Sequence, residues 1–247
     1  RILFFMSYLK FKEITITNFS DQTINNFYNQ GYVFTRIKKG IMNQTRSLRI
    51  NLNKFELSSE NKRILKKTKN LQLQTIDLPY NKYNWTIGKL GKDFYTTKFG
   101  DGTFSANKIK ELLTTKHNFN KLFKYIIFNE INSNIVKSEN SLLFTKNFSI
   151  PSLSTQDNII GYAICKETNE LLHYSYPFYD LQTKINNLGM GMMLQAILWS
   201  KANHKKYIYL GSAQRPTDIY KLQFSGLEWF DGKTWQTDLK KLKNILK

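Results

Sequence analysis

The sequence predicts an α+β protein, with a mixed sheet flanked by helices and a smaller β-rich segment at the N-terminus. Two observations support this prediction. Several strand-like runs follow one another before a long apolar helix, a further strand and two short helices. The composition also suits a folded core, because 41% of the 247 residues are hydrophobic and 15% are aromatic.

The first elements follow from alternation and from capping residues. Residues Phe11 to Thr17 alternate between apolar and polar side chains as a strand does, and Ser20 then caps a short helix. Two β-rich stretches, Tyr32 to Lys38 and Ser47 to Leu52, flank Gly40 and predict a hairpin.

A basic helix and a break in the pattern follow. Ser58 opens the helix, which we expect to end near Asn70, and the pattern breaks at Leu78-Pro79-Tyr80. We therefore expect a boundary here, between a β-rich N-terminal segment with the basic helix, residues 1–80, and a larger domain, residues 81–247.

The second part of the chain combines consecutive strands with helices, and consecutive strands favour antiparallel pairing. A helix is predicted from Ser105 to Leu113, before strand-like runs at Phe123 to Asn129, Ser141 to Lys146, Ile159 to Lys166 and Leu171 to Phe178. The remaining elements are an apolar helix from Leu188 to about Asn203, a strand from Lys206 to Leu210, a short helix from Thr217 to Phe224 and a basic C-terminal helix.

The charge balance points to an anionic partner. Lys and Arg number 37 against 18 Asp and Glu, which gives a net charge of +19 at pH 7. Such a surplus repels itself unless a polyanion or an anionic surface is bound, so nucleic acid is the first candidate.

Other functional classes are excluded or disfavoured. The single cysteine, Cys165, excludes an internal disulfide framework, a cysteine zinc site and an iron–sulfur cluster bound by this chain alone. No histidine lies near a second ligand at metal-binding spacing, so we expect no metal. No apolar run approaches the roughly 18 residues that span a bilayer, and the apolar start is too short for a signal peptide. We expect a cytoplasmic protein without a membrane partner.

Three stretches carry residues suited to chemistry. The first is Asn186-Asn-Leu-Gly189-Met-Gly191 at the start of the long helix. A Gly-x-Gly turn at this place is similar to that of Gcn5-related acetyltransferases, where backbone N–H groups and a helix N-terminus bind the coenzyme A pyrophosphate. The alternative is that the two glycines let the helix pack tightly against its surroundings.

The second stretch is the basic helix from Ser58 to Lys67. Helical spacing places its cations on or beside one solvated face, which attracts phosphates. The alternative is a solubilising surface helix. With the overall charge, we predict tRNA contacts from Arg46, Arg49, Lys62, Arg63, Lys66 and Lys67.

The third stretch is the aromatic strand end from Tyr174 to Asp180, which delivers a carboxylate just before the Gly189 helix. Strand ends beside a helix N-terminus are common places for an active cleft. The alternative is that the aromatic side chains belong to the core and that Asp180 caps the following turn.

The motifs together resemble those of the aminoacyl-tRNA-protein transferases, which include the arginyl-tRNA-protein transferases and their bacterial leucyl relatives. The C-terminal series is similar in order and spacing to the family's Phe-Tyr-Asp, Leu-Gly, Tyr-x-Tyr-Leu-Gly and Tyr-Lys-x-x-Phe elements. It consists here of Tyr176-Pro-Phe-Tyr-Asp180, Leu188-Gly189, Tyr207-Ile-Tyr-Leu-Gly211, Ile219-Tyr-Lys-Leu-Gln-Phe224 and Leu227-Glu228.

A weaker N-terminal series runs from Phe27 to Tyr32, through Arg46-Ser-Leu-Arg49, to the basic helix. It departs from the family pattern at two places. Met42-Asn-Gln-Thr45 stands where the family has Cys-x-x-Cys, and Ser58-Ser59-Glu60 replaces a serine–arginine–serine element. Any metal or cluster tied to those cysteines should therefore be absent.

The resemblance implies a Gcn5-related acyltransferase-like fold and transfer of arginine or leucine from charged tRNA to the N-terminal amine of an acceptor protein. It implies no cofactor beyond the aminoacyl-tRNA co-substrate. We expect Asp180 to contact the incoming ammonium or the donor amino acid, and Tyr209 and Lys221 to contact the oxyanion or the terminal adenosine. The expected substrate-binding residues are Tyr179, Gly189, Gly191, Gly211, Tyr220 and Glu228.

Two other functions stay open at this point. The chain could be a catalytically silent relative that binds tRNA or ribosomal RNA, or an acyl-CoA-dependent N-acyltransferase that uses the Gly189 turn. For the transferase we expect tRNA and an acceptor protein N-terminus as partners of a monomer.

Overall fold

A computed structural model describes residues 9–127 and 158–247. Its helices are α1 (Asp21–Asn29), α2 (Ser59–Lys67), α3 (Trp85–Phe99), α4 (Ala106–Thr114), α5 (Leu188–Ala202) and α6 (Leu239–Ile245), with 3-10 helices at Leu52–Lys54 and Pro216–Gln223. Its strands are β1 (Lys12–Thr15), β2 (Tyr32–Phe34), β3 (Ile41–Gln44), β4 (Ser47–Asn51), β5 (Leu71–Asp77), β6 (Lys121–Ile127), β7 (Ile159–Glu167), β8 (Leu171–Tyr179), β9 (Tyr207–Ser212), β10 (Leu227–Phe230) and β11 (Trp235–Gln236).

The strands form two sheets. Eight of them lie in the order β11-β10-β4-β9-β8-β7-β6-β5, and three form a small sheet in the order β1-β3-β2. The pair β8–β9 is parallel, whereas the other pairs of the large sheet are antiparallel. The predicted α+β class, with a mixed sheet flanked by helices and a smaller N-terminal sheet, is confirmed.

Helices cover both faces of the large sheet. Ile64 of α2, Met192 of α5 and Leu242 of α6 belong to one apolar cluster with Leu172 of β8. Side chains of α1, α3 and α4 form a second apolar cluster on the other face, together with Phe178 of β8. The sheet therefore separates α2 and α5 from α3 and α4.

Capping serines begin three of the helices where the sequence predicts them. The hydroxyl oxygens of Ser20, Ser58 and Ser105 each accept a hydrogen bond from a backbone N–H in the first turn of the helix that follows. These bonds satisfy donors that a helix start otherwise leaves unpaired. A serine that directly precedes each helix therefore determines where α1, α2 and α4 begin.

The predicted hairpin has a different second strand. β2 pairs with β3, and Gly40 precedes β3 with a φ of +81°, a conformation that favours glycine. β4, which contains most of the predicted partner Ser47 to Leu52, lies instead between β9 and β10 in the large sheet. The prediction was wrong because β3 is short and polar, with the sequence Ile-Met-Asn-Gln, and gives little strand signal.

Other predictions differ in detail or in scope. The predicted helix from Thr217 to Phe224 is a 3-10 helix, while β5 and α3 were not predicted. The predicted strand Ser141 to Lys146 lies outside the described residues. Strands β4 and β5 precede residue 80 and share the large sheet with strands that follow it, so one sheet spans both predicted segments.

Within the described residues, none of the helices combines the length and the apolar character that a membrane crossing requires.

Candidate active site

The large sheet splits between its two parallel strands. The pairing of β8 with β9 extends only from Leu171↔Tyr207 to His173↔Tyr209. β8 then continues to Tyr179 in contact with β7, and β9 continues to Ser212 in contact with β4. The carboxyl ends of the two strands therefore diverge, and we call the opening between them the strand cleft. Such openings at strand ends are common places for ligands in mixed sheets.

A β-bulge lies immediately beyond the last β8–β9 pair. Cys165 of β7 pairs with Tyr174, but the preceding residue of β7 pairs with Tyr176, so Ser175 is an additional residue in β8. The bulge reverses the alternation of side chains. Tyr174 packs into the α5 cluster, whereas Tyr176 packs with the α3 and α4 cluster. Bulges next to active sites redirect side chains in this way.

Tyrosine hydroxyls gather around the cleft. Burial raises the pKa of Tyr174, Tyr95 and Tyr179, and in each case Tyr220 contributes to the increase, so these hydroxyls lie near one another. Burial and the charge of Asp218 raise the pKa of Tyr220 to about 12. The hydroxyls therefore stay protonated at neutral pH, and that of Tyr95 donates to the backbone carbonyl of Pro177 at 3.1 Å.

Tyr174 is buried, and its hydroxyl makes no hydrogen bond of normal geometry among the described residues, although Tyr125 lies beside it. The Ser175 hydroxyl is likewise buried without a partner in the part of the chain that the structure describes. Buried polar groups are normally hydrogen-bonded, so unpartnered ones at a bulge mark a place for a ligand or for water.

Lys221 lies against the carboxyl end of β9. Its Nζ donates to the backbone carbonyl of Ser212 at 3.0 Å and lies 3.1 Å from Oδ1 of Asp218. Burial, together with the charge of Lys221, lowers the pKa of His173 to about 3. An ammonium has three donors, and these two contacts leave one of them available.

Two arginines lie beside the aromatic wall of the cleft. Arg36 lies 4.8 Å above the ring of Phe104 and 5.7 Å above that of Tyr176, and it donates to the carbonyl of Thr103. Arg215 lies 5.5 Å above the exposed ring of Phe99 at the C-terminal end of α3. Aromatic faces next to cations suit a ligand that combines a planar base with phosphate.

Asp180, which was predicted as a catalytic residue, immediately follows the last residue of β8. Its backbone N–H donates to Ile160, and its Oδ1 accepts a hydrogen bond from the backbone N–H of Gln182 at 2.8 Å. The carboxylate thus caps the turn, as the alternative interpretation proposed, and it is partly exposed beside the half-buried Tyr179.

The glycines at the start of α5 are explained by packing. A Cβ on Gly191 would come within 2.7 Å of Thr68 at the end of α2, and one on Gly189 would come within 3.1 Å of the ring of Tyr179. Close packing against Tyr179 and Thr68 thus accounts for both glycines, as the alternative interpretation proposed. Gly211, by contrast, has a φ of +75° with open space around it, at the free end of β9.

Three predicted site residues lie in the protein interior. The Arg49 guanidinium donates to Glu228 at 2.8 Å and lies between the rings of Tyr207 at 4.0 Å and Trp235 at 3.8 Å. It also bonds the Tyr209 hydroxyl at 3.4 Å. Arg49, Tyr209 and Glu228 are at most 9% exposed. We therefore correct the predicted tRNA contact of Arg49, the predicted catalytic contact of Tyr209 and the predicted substrate contact of Glu228, because their polar groups are already paired inside the fold.

The other predicted cations are more accessible. Lys62, Lys66 and Lys67 are exposed on α2, as is Arg63, which pairs with Glu60 through two contacts of 2.5 and 2.6 Å. The end of α2 packs against the first turn of α5 through Thr68 and Gly191. Burial lowers the pKa of the half-buried Arg46, which donates to the carbonyl of Ala213 just beyond β9.

Some residues of the cleft were missed by the sequence analysis. Tyr95 comes from the unpredicted helix α3, and Arg36 lies outside the motifs identified in the sequence. Their positions depend on contacts between elements far apart in sequence, so no local signal identifies them.

Among residues 9–127 and 158–247, no three His, Cys, Asp or Glu side chains lie close enough together to hold a metal ion.

Solved structures show distant likenesses. The chain is 9% identical to L-PGS from Bacillus licheniformis, with a TM-score of 0.46 over 91% of this chain and 70% of that one. A GCN5-related glucosamine N-acetyltransferase region of a fungal multi-domain enzyme has a TM-score of 0.44 at 9% identity, over 88% of this chain and 23% of that one. At these TM-scores, neither likeness carries an argument about function.

Curated relatives are more informative. Aspartate/glutamate leucyltransferases of Xanthomonas oryzae pv. oryzae are 30% identical over 79 residues, which is 31% of this chain and 32% of the relative. The relative from Xanthomonas euvesicatoria pv. vesicatoria is 30% identical over 80 residues, 32% of each chain. The matched segment thus spans about a third of the length of these relatives.

A family model gives the broadest match. The model described as arginine-tRNA-protein transferase, C terminus, matches residues 106–231, just over half of the chain. The matched range includes β8, the start of α5, β9 and Lys221, which form most of the strand cleft, whereas α2 and α3 lie outside it. Most of the strand cleft thus lies within the matched range, and the chain belongs to the arginine-tRNA-protein transferase family.

Proposed function

We propose that this protein moves an amino acid from the 3′ end of a charged tRNA to the N-terminal amine of an acceptor protein. The observation that carries the proposal is the strand cleft, which combines protonated tyrosine hydroxyls with Lys221 in a chain of this family. We propose arginine or leucine as the donated amino acid.

The reaction needs little covalent chemistry from the protein. The neutral amine of the acceptor attacks the ester carbonyl of the aminoacyl-tRNA, which forms a C–N bond and a tetrahedral oxyanion. The ester C–O bond then breaks, and the proton lost by the amine ends on the ribose oxygen of the tRNA. The catalyst must hold the two reactants together and stabilise the oxyanion. This scheme needs no cofactor.

Different residues of the cleft can bind the reactants and stabilise the oxyanion. Lys221 has one donor left for the oxyanion, and it is held in place by Ser212 and Asp218. The Tyr220 hydroxyl lies close to it in sequence and is protonated. We propose Asp180 as the group that receives the ammonium of the acceptor before it loses its proton, because its carboxylate is partly exposed beside Tyr179.

The tRNA would extend from the cleft along the basic helix. Because Thr68 at the end of α2 packs against Gly191 in the first turn of α5, the exposed Lys66 and Lys67 lie close to the start of α5, which borders the cleft. Lysines bind phosphates through charge and tolerate many sequences, as a general tRNA contact requires. Arg63 is a weaker candidate, since Glu60 already pairs with it.

The acceptor is proposed to begin with Asp or Glu. Acidic side chains suit a cleft bordered by Arg36 and Arg215, and the curated relatives of Xanthomonas are described as aspartate/glutamate leucyltransferases. We propose a cytoplasmic monomer, which has one cleft per chain.

A second candidate is a catalytically silent RNA-binding relative. It is favoured by β3, where Met42-Asn-Gln-Thr45 stands in place of the two cysteines of the family. An acyl-CoA-dependent activity is disfavoured, because packing against Tyr179 and Thr68 explains both Gly189 and Gly191 without a pyrophosphate.

The experiment is a transfer assay with radiolabelled arginine and, separately, leucine on tRNA. Peptides that begin with Asp, Glu, Lys or Arg act as acceptors, and acetyl-CoA serves as the control donor. We expect label on the Asp and Glu peptides from one of the two tRNAs. Binding of tRNA without transfer would favour the silent relative, and acetyl transfer would contradict the proposal.

A further inference from the structure

A groove on the opposite face of the sheet from α2 is lined by aromatic and basic side chains. It lies between α3 and α4 and has a volume of about 440 Å³. We call it the Trp85 groove. Its lining consists of Tyr83, Trp85, Lys89, Lys92, Asp93, Ala106, Asn107 and Lys110. None of these residues belongs to the strand cleft, and α3 is outside the range matched by the family model.

Trp85 is unusually exposed for its size. Its side chain is 71% exposed, more than any other large hydrophobic side chain among the described residues. It lies at the first position of α3, where Asn84 caps the helix, so the ring is not needed to begin the helix. Exposed tryptophan beside a groove marks an interaction site more often than a structural one.

The charges around Trp85 are arranged for an anion. Lys89 and Lys92 follow Trp85 at four and seven residues, on the same face of α3, and Lys110 faces them from α4. Lys89 pairs with Asp93 at 2.5 Å, which neutralises both groups. Lys92 and Lys110 are exposed and have no ion-pair partner in the part of the chain that the structure describes. The groove therefore keeps a positive charge.

We infer that the Trp85 groove binds an unpaired nucleotide of RNA. A nucleotide supplies both a planar base, which stacks on Trp85, and a phosphate, which the free lysines bind. An acidic peptide would satisfy only the lysines. This inference rests on the proposed function, because it takes RNA as the partner. It adds an RNA contact that is distant from the reacting ester.

Helix α3 connects the groove to the strand cleft. Tyr95 of the cleft follows Trp85 by ten residues of one helix, a distance of about 15 Å at the usual rise of 1.5 Å per residue. An RNA whose end lies in the cleft can thus reach the groove with an unpaired segment.

The test measures binding of a short, fluorescein-labelled, single-stranded oligoadenylate to the full chain by fluorescence anisotropy at several salt concentrations. Trp85→Ala should weaken binding about tenfold, because it removes the aromatic face on which one base stacks. Trp85→Phe keeps an aromatic face and should bind within about threefold of wild type. Thermal unfolding checks that both variants are folded, as the exposure of Trp85 predicts.

The charge contribution is tested with the pair Lys92→Glu and Lys110→Glu. This variant should bind the oligoadenylate more weakly and with a smaller salt dependence, whereas Lys240→Glu with Lys241→Glu, the same charge change in α6, should change binding less. Equal binding by wild type and Trp85→Ala would overturn the inference. Competition by polyglutamate with the same dependence on Trp85 would overturn it in favour of a protein partner.

The outcome can be separated from that of the transfer assay. If wild type binds RNA through Trp85 but transfers no amino acid, the inference stands and the proposed function fails. If wild type transfers an amino acid while Trp85→Ala binds oligoadenylate normally, the inference alone fails.

Discussion

At the scale of single residues, burial separates structural arginines from those that can bind a ligand. Arg49 is enclosed by two aromatic rings and paired with Glu228, whereas Arg63 forms an exposed pair with Glu60. Both were predicted as tRNA contacts from sequence, because composition and spacing report the charge of a residue and not its burial. β4 carries Arg49 into the middle of the large sheet, and only this long-range pairing buries it.

The first prediction compares the buried Arg49–Glu228 pair with the exposed Arg63–Glu60 pair. Arg49→Ala should lower the free energy of unfolding by about 3–5 kcal/mol, since it leaves the Glu228 carboxylate buried without a partner. Arg63→Ala, the matched control, should leave the free energy of unfolding close to that of wild type, because solvent screens an exposed pair. Urea unfolding followed by circular dichroism measures both. Equal effects of the two substitutions would argue against a structural role for Arg49.

A second prediction concerns His173. Burial and the charge of Lys221 lower its pKa to about 3, and Nδ1 lies 2.9 Å from the Tyr28 hydroxyl, so the folded protein keeps the imidazole neutral. The unfolded chain takes up a proton near pH 6.5. Stability from this group is therefore complete above about pH 6.5 and is lost as the pH falls toward 3, by at most about 1.4 kcal/mol per pH unit.

Replacement of His173 by Gln should remove this part of the pH dependence. The free energy of unfolding of wild type and His173→Gln is compared between pH 4.5 and 7, where the carboxylates contribute equally to both proteins. Wild type should lose more stability than the variant as the pH falls. Parallel profiles would show that His173 is protonated in the folded state.

At the scale of elements, helix starts were predicted better than strand partners. Ser20, Ser58 and Ser105 begin helices where the sequence indicates, because a cap and its helix are neighbours in the chain. The pairing of β4 with β9 and β10 joins residues far apart in sequence, so alternation alone cannot reveal it. The split between β8 and β9 was missed for the same reason, although the motifs on both sides of it were identified.

The bulge in β8 leads to a prediction about how β8 pairs with β7. Deletion of Ser175 would make β8 a regular strand in which Tyr174 and Tyr176 keep their partners on β7 and stay on opposite faces of the sheet. We therefore expect the deleted chain to keep cooperative unfolding in urea. Ser175→Ala keeps the bulge and removes an unpartnered hydroxyl, so its stability should lie within about 1 kcal/mol of wild type. A deletion variant that loses cooperative unfolding would contradict the assigned register.

At the scale of the whole molecule, the net charge of +19 indicates a polyanionic partner but not where it binds. The fold brings the end of α2 against the first turn of α5, next to the strand cleft, whereas α6 packs against the same apolar cluster through Leu242. Lys66→Glu with Lys67→Glu should therefore weaken tRNA binding at least tenfold and reduce the salt dependence by about one unit per lost phosphate contact.

The matched control for this charge reversal is Lys240→Glu with Lys241→Glu, which changes the net charge equally. Filter binding of tRNA across a range of salt concentrations compares the two variants. If both weaken binding equally, the attraction is a property of the overall charge and α2 has no special role.

The measurement that tests the central claim most directly is the single-turnover rate of amino acid transfer from charged tRNA by wild type and by Lys221→Gln, with tRNA affinity and thermal stability measured in parallel. If Lys221 stabilises the oxyanion in the strand cleft, the rate should fall by about 10²–10³ while tRNA affinity stays within about threefold. Transfer at the wild-type rate by a folded Lys221→Gln variant would contradict the assignment of the cleft as the active site.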